Sequence, residues 1–112
     1  MAKEAKQQVY TLLVELGRAP GDGLPADSTG AAFMIYATGV DEEEAVRETV
    51  AVLKQADLAP LEVTGYGTIE ERIAAGHDIE EEERQLMARA LAENAVIVAQ
   101  STPFFGEDET RG

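Results

Sequence analysis

The segment that decides the fold is AAFMIYATGVDEEEAV, residues 31–46. Residues 31–39 are apolar at successive positions, which predicts a strand that is apolar on both faces. A helix-start signal follows at once: Asp41 is placed to cap the first turn, and Glu44 occupies the capping-box position three residues later. The acidic run 42–44 also suits the positive end of a helix dipole. A buried strand that leads directly into a helix predicts a domain containing both types of element.

Strands and helices alternate on both sides of this segment. Upstream, period-two alternation predicts a strand over 9–16, and a loop rich in glycine and proline follows over 17–30. Because this loop is long for a hairpin connection, we expect it to be either mobile or used in binding. Downstream, the predicted elements are a helix to about 56, a strand over 61–66 with Leu61 and Val63 inward, a helical turn over 69–75, a helix from 79 to about 93, and a strand over 95–99 that can extend into the following residues.

The predicted element order is β-β-α-β-(short α)-α-β. The economical arrangement is a two-layer α+β sandwich, in which a four-stranded mixed sheet carries its two main helices on one face, as in ferredoxin-like or related folds. A chain of 112 residues is short for more than one domain. We therefore predict a single domain over 9–105, a disordered or frayed N-terminus over 1–8 and a polar C-terminal tail over 106–112.

The uncovered face of such a sheet should be polar in a monomer, but the predicted strands are apolar on both faces. A large exposed apolar surface usually marks an interface. We therefore predict a homodimer whose interface includes Val9, Leu13, Met34, Tyr36, Phe104 and Phe105. The alternative is that the loop over 17–30, or the end of the chain with the two phenylalanines, covers that face within one chain.

Composition excludes several classes of function. The formal net charge is −13, so the chain should repel phosphate backbones and we expect no nucleic-acid partner. The absence of cysteine excludes disulfides and thiolate metal sites, and one histidine cannot form a two-histidine metal site. We expect no metal and no cofactor. No apolar run is long enough to cross a membrane, and there is no apolar signal region, so a cytoplasmic and, from its composition, bacterial protein is predicted.

Two helix starts carry much of the negative charge: the segments 41–48 and 78–84 each have a net charge of −4 by residue count. Asp78 with Glu81 repeats the capping-box spacing, as does Thr68 with Glu71. Capping and the helix dipole explain these acids without a partner. Whether they form one focused negative patch depends on whether the chain reverses direction between 65 and 77.

One candidate ligand site emerges from the sequence. Tyr66 leaves the third strand where a cleft between sheet and helix can open, and Arg72 and His77 follow on the next turns. These three side chains form a predicted rim for an anionic small molecule. The competing interpretation is a packed tyrosine beside a surface arginine and a loop histidine.

Three functional hypotheses follow. The leading one is a small, acidic, homodimeric binding or regulatory module without enzymatic activity, whose partner is a basic protein or a small molecule. The alternative is a small cofactor-free enzyme with a pocket under the sheet, in which the acid–base group is His77, Tyr10, Tyr36 or Tyr66. The third is a structural subunit of a larger assembly. A pocket of at least ~300 Å³ with converging polar groups would favour the second over a dry, filled face.

Overall fold

The computed structural model describes residues 6–105, and its elements follow in the predicted order. The strands are β1 (Gln8–Leu16), β2 (Gly30–Gly39), β3 (Pro60–Gly67) and β4 (Val96–Phe104), and the helices are α1 (Glu42–Gln55), α2 (Ile69–Ala74) and α3 (Glu81–Glu93). The α+β class is therefore confirmed. The tail predicted over 106–112, and residues 1–5 of the predicted N-terminal segment, lie outside the described residues, whereas Gln8 already belongs to β1.

The sheet has the strand order β3-β1-β2-β4, and every pair of neighbouring strands is antiparallel. The prediction of a mixed sheet is therefore wrong. The connection through α1 carries the chain across β1, so the parallel strands β2 and β3 are not neighbours. The match to a ferredoxin-like sandwich is not exact either, because that fold places a helix directly after its first strand.

The two long helices lie on opposite faces of the sheet, so the prediction that both cover one face is wrong. The α1 face packs against Ala45 and Leu53 of α1, and its strand residues are Tyr10, Leu12, Val14, Leu16, Ala31, Phe33, Ile35 and Ala37. The α3 face packs against Met87 and Ala90 of α3, and its residues on β1 and β2 are Val9, Thr11, Leu13, Met34, Tyr36 and Thr38. Both faces of β1 and β2 are apolar enough to be buried, and each face is covered by one helix of the same chain.

Side-chain capping fixes the first two helix starts as the sequence predicts. Asp41 accepts a hydrogen bond from the backbone N–H of Glu44, and the side chain of Glu44 accepts one from the N–H of Val40. Thr68 and Glu71 form a complete capping box on α2. Both helices therefore begin where a side chain satisfies otherwise unpaired N–H groups.

The third predicted capping box is wrong. Helix α3 begins at Glu81 rather than at 79, its N-cap is Glu80, and that side chain makes no capping hydrogen bond. Asp78 therefore does not cap α3. The acid three residues after the observed N-cap is Glu83, and its side chain bonds to Tyr36 and Arg72 as well as to the Glu80 backbone.

The segment between β3 and α3 carries the chain back across the sheet, so α3 runs in the direction opposite to that of α1. Helix α1 starts beside Gly39 and returns to β3 at Pro60, whereas α3 ends beside Val96, which pairs with Ala37 near the Gly39 end. The two acidic helix starts consequently lie towards opposite ends of the sheet, and on opposite faces. The negative charge is diluted rather than focused, which weakens the case for a strongly basic partner.

In β3, the prediction that Leu61 points inward is wrong. Leu61 is 71 % exposed, whereas Val63 packs against the core of the α1 face. The pairing of β1 with β3 skips from Glu62 to Pro60, so Leu61 is the extra residue of an irregularity and loses its inward place.

The long connection between β1 and β2 is held together by one ion pair. Arg18 donates to the Asp22 carboxylate at 2.9 Å and to the carbonyl of Ser28 at 2.7 Å. Asp22 also accepts from the N–H groups of Ala19 and Leu24, and these bonds, with that from Arg18 the largest, hold the pKa of its carboxyl well below the usual range. Leu24 packs against the core of the α1 face. The alternative to a dimer, in which this loop covers the face opposite the main helix, therefore does not hold for the α3 face.

Candidate functional site

Polar side chains from β1, α3 and the turn after α2 converge on Arg72 at the α3 face. Arg72 lies in α2 and is only 7 % exposed. Its Nη1 donates to Oε1 of Glu83 in α3 and to Oγ1 of Thr11 in β1, both at 3.2 Å. Its Nε donates to Nδ1 of His77 at 3.0 Å. A buried guanidinium with three different partners is held in one orientation.

Local structure explains how Arg72 and His77 meet. Gly76 ends α2 with a φ of +94°, a left-handed conformation that favours glycine. This turn brings the N–H of His77 to within 2.9 Å of the carbonyl oxygen of Arg72. The turn at Gly76 places the imidazole beside the guanidinium.

Tyr36 completes the cluster from the middle of β2. Its side chain is buried under α3, and its hydroxyl donates to Oε1 of Glu83 at 2.7 Å. The same carboxylate oxygen therefore receives hydrogen bonds from both Tyr36 and Arg72. We call the group formed by Thr11, Tyr36, Arg72 and Glu83 the Arg72 cluster.

The cluster fixes the protonation of both acids. Burial, together with the hydrogen bond to Glu83, raises the pKa of Tyr36 to about 12. Burial alone would raise the pKa of Glu83, but the hydrogen bonds from Tyr36, Arg72 and the Glu80 backbone outweigh it, and that pKa lies below its usual value. At neutral pH the phenol is therefore a neutral donor and Glu83 is an anion.

A cavity of about 410 Å³ opens beside the cluster, between the first turn of α3 and the sheet. We call it the α3 cleft, and its lining residues are Met34, Tyr36, Arg72, Glu80, Glu82, Glu83, Leu86, Ala99 and Gln100. Other cavities of about 370 and 290 Å³ lie elsewhere and contain no residue of the Arg72 cluster. The α3 cleft is the one of these three that combines apolar walls with a buried polar network.

The predicted rim of Tyr66, Arg72 and His77 does come together in space. The rings of Tyr66 and His77 are 5.9 Å apart between centroids, and His77 bonds to Arg72. Arg72 is buried rather than on the surface, and it is the member of the three that lines the α3 cleft. A ligand role for this rim stays a prediction.

The predicted dimer surface is divided by the fold. Tyr36 is 2 % exposed and Val9 packs against the same cluster as α3, so neither lies on an open sheet face. Leu13 and Met34, which pair across β1 and β2, remain half-buried, as do Phe104 and Phe105. Each face of the sheet carries a helix, so the expectation of a wholly uncovered face is wrong, and self-association stays a prediction that rests on these four residues.

The sequence interpretation missed Thr11 and Glu83, and it listed Tyr36 for other roles. A threonine and a tyrosine on the same face of adjacent apolar strands were the available signal, because buried hydroxyl groups need partners. Among residues 6–105, no group of three or more histidine, aspartate or glutamate side chains is placed to hold a metal ion. No helix in that range is long and apolar enough to span a membrane.

Comparison with known proteins places the chain in a family. Neither the curated proteins nor the solved structures contain a match. The family model described as "Domain of unknown function (DUF8846)" matches residues 9–105, which include every residue that lines the α3 cleft. Because this match spans most of the sequence, the chain belongs to the DUF8846 family.

Proposed function

We propose that this protein is a non-enzymatic binding module that holds a small molecule in the α3 cleft. The observation that carries the proposal is the convergence of Tyr36, Arg72 and Glu83 on one cavity of about 410 Å³. Small-molecule sites typically have volumes of ~300–1,000 Å³, with mostly apolar walls and a few fixed polar groups. Met34, Leu86 and Ala99 supply an apolar wall on one side here, and the rest of the lining is mostly polar.

The rigidity of the polar groups supports binding. Tyr36 lies in a central strand, and Arg72 is tied to β1, α3 and the turn after α2. A ligand that meets side chains already held in place avoids the entropic cost of ordering them. The Arg72 cluster therefore behaves as a preformed binding surface.

The enzyme alternative uses the same cleft, but its candidate acid–base groups fit less well. Such a group works best with a pKa near the working pH. The pKa of Tyr36 is raised to about 12, and Tyr10, whose pKa is also raised, lies on the α1 face. His77 already accepts a hydrogen bond from Arg72, and neither it nor Tyr66 lines the cleft. These features favour binding over proton transfer.

The proposal is tested by mapping small molecules onto the cleft. A panel of amines, amino acids, carboxylates, sugars and nucleosides is titrated into ¹⁵N-labelled protein, and amide shifts are followed in two-dimensional NMR spectra. At least one compound should shift the amides of Met34, Leu86 and Gln100. The Ala99→Leu variant, which fills the cleft, should abolish those shifts. Ala92→Leu, the same change at an exposed position of α3, should preserve them.

The outcome that contradicts the proposal is equally definite. If no compound shifts these amides, or if the shifts persist in Ala99→Leu while its spectrum remains that of a folded protein, the α3 cleft is not a binding site.

Self-association is a separate part of the proposal. Leu13 pairs with Met34, which lines the cleft, and a second copy packed over these two side chains would bury them. Sedimentation velocity should then show a dimer that Leu13→Asp dissociates. A wild-type chain that sediments as a monomer at high concentration contradicts the dimer without affecting the cleft.

A further inference from the structure

We infer that the ligand of the α3 cleft is an organic cation, an aliphatic ammonium group carried on an alkyl chain. The inference rests on the proposed function, since it names the ligand class for the same cleft. Two independent features of the cleft support it, the balance of charge on its polar side and the apolar character of its other side.

The charge balance of the cleft is negative. Three carboxylates, from Glu80, Glu82 and Glu83, line it against a single guanidinium, that of Arg72. The guanidinium is already bonded to Glu83, Thr11 and His77. An incoming anion would meet the two outer carboxylates and would have to displace Glu83 from Arg72. A cation needs no such exchange and gains from the carboxylates of Glu80 and Glu82, whereas the charge of Glu83 is already paired with Arg72.

The apolar wall separates an organic cation from a bare metal ion. Met34, Leu86 and Ala99 offer contact to an alkyl chain and no oxygen ligand to a hard divalent ion. Divalent ions such as Ca²⁺ require several converging oxygen ligands. No metal-binding group of three or more such side chains is found among residues 6–105. An ammonium group beside the carboxylates, with its chain along the apolar wall, uses both sides of the cleft.

Three probes of equal chain length test the inference: hexylammonium, hexanoate and 1-hexanol. Each is titrated into ¹⁵N-labelled full-length protein at low ionic strength, with the amides of Met34, Leu86 and Gln100 as reporters. Hexylammonium should bind about tenfold more tightly than 1-hexanol, because charge adds to the same apolar contact. Hexanoate should bind more weakly than either, and added salt should weaken hexylammonium most.

Matched variants separate the lining carboxylates from the overall charge. Glu80→Gln/Glu82→Gln should weaken hexylammonium binding about fivefold, as expected for partly exposed ion pairs. Glu43→Gln/Glu81→Gln removes the same charge from exposed first-turn acids that do not line the cleft, and it should leave the affinity unchanged within twofold. Equal weakening by both double variants overturns the inference, because charge at a distance would then account for the binding.

The remaining outcomes distinguish the inference from the proposed function. Hexanoate or 1-hexanol binding in the cleft as tightly as hexylammonium overturns the inference while leaving the cleft as a binding site. If none of the three probes, and none of the wider panel, shifts the cleft amides, both the inference and the proposed function fail.

Discussion

The two faces of the sheet are built from the same strands for different purposes. On the α1 face, Leu12, Val14 and Ile35 are fully buried among other apolar side chains. On the α3 face, the buried strand residues include Thr11, Tyr36 and Thr38, each hydrogen-bonded to a helix. The first face supplies hydrophobic stability, and the second supplies directional contacts that fix the geometry of a cleft.

Residues that are adjacent in the sequence lie on different faces of the sheet. Thr11 and Leu12 point to opposite faces, as do Ile35 and Tyr36. Because side chains alternate along a strand, one step along the chain passes from the hydrophobic core to the polar cluster. Substitutions at neighbouring positions should therefore differ in kind as well as in magnitude.

The largest expected effect is on the α1 face. Leu12→Ala should lower the free energy of unfolding by about 3 kcal/mol, because it removes a fully buried side chain and leaves a cavity. Leu13→Ala, the next residue, points to the α3 face and is half-buried, so it should cost about 1 kcal/mol. Urea denaturation measures both. Equal losses at the two positions would contradict the asymmetry between the faces.

The next largest effect is expected when the centre of the Arg72 cluster is removed. Arg72→Met should lower the free energy of unfolding by about 2 kcal/mol, because Glu83 loses its cation. The loss is smaller than for a fully buried pair because the Glu83 side chain is 28 % exposed. Arg89→Met, which breaks the exposed pair with Glu93, is the control and should cost less than about 0.5 kcal/mol. If Arg72→Met lowers the free energy of unfolding no more than this control does, the Arg72 cluster does not stabilise the fold.

Tyr36→Phe tests one hydrogen bond of the cluster and should cost about 1.5 kcal/mol at neutral pH, because the acceptor Glu83 is charged. Folding raises the pKa of Tyr36 from 10.0 to about 12, so the folded state holds the phenolic proton more tightly than the unfolded state does. This contribution should be present below pH 10 and should be lost as the pH rises towards 12.

Tyrosinate absorbance measures this shift directly. The titration of the wild type minus that of Tyr36→Phe should have a midpoint near 12. Over the same pH interval, the free energy of unfolding of the wild type, followed by urea denaturation, should fall relative to that of Tyr36→Phe. A difference titration centred near 10, the usual tyrosine pKa, would show that Tyr36 is not held in the cluster.

Local contacts were predictable from the sequence and distant ones were not. The capping residues Asp41 and Thr68 act within one turn, and Arg72 meets His77 five residues away. Tyr36 and Glu83 are separated by 47 residues, so their contact depends on the sheet topology. The sequence could thus place part of the predicted rim, but it could not identify the cluster that lines the cleft.

The placement of the helices could not be predicted for a related reason. Apolar alternation shows that β1 and β2 are buried on both faces, but it does not show which covering element takes each face. Glu83 adds a second ambiguity. Its spacing from the N-cap Glu80 is that of a capping box, and its side chain accepts from the Glu80 backbone, but it also accepts from Tyr36 and Arg72. The sequence pattern identifies an acid near a helix start, but only the fold identifies its partner.

The smallest expected effects give the sharpest comparison, because one chemical change should have opposite signs on the two faces. Thr38 on the α3 face donates to the carbonyl of Ala90 at 2.8 Å, whereas the buried hydroxyl of Thr49 on α1 has no hydrogen-bond partner among residues 6–105. Thr38→Val should therefore cost about 1 kcal/mol, and Thr49→Val should gain about 0.5 kcal/mol because it removes an unsatisfied polar atom. Chemical denaturation of both variants decides the matter. If Thr38→Val stabilises the protein, or if Thr49→Val clearly destabilises it, the buried hydroxyl groups of the two faces do not differ in the way proposed.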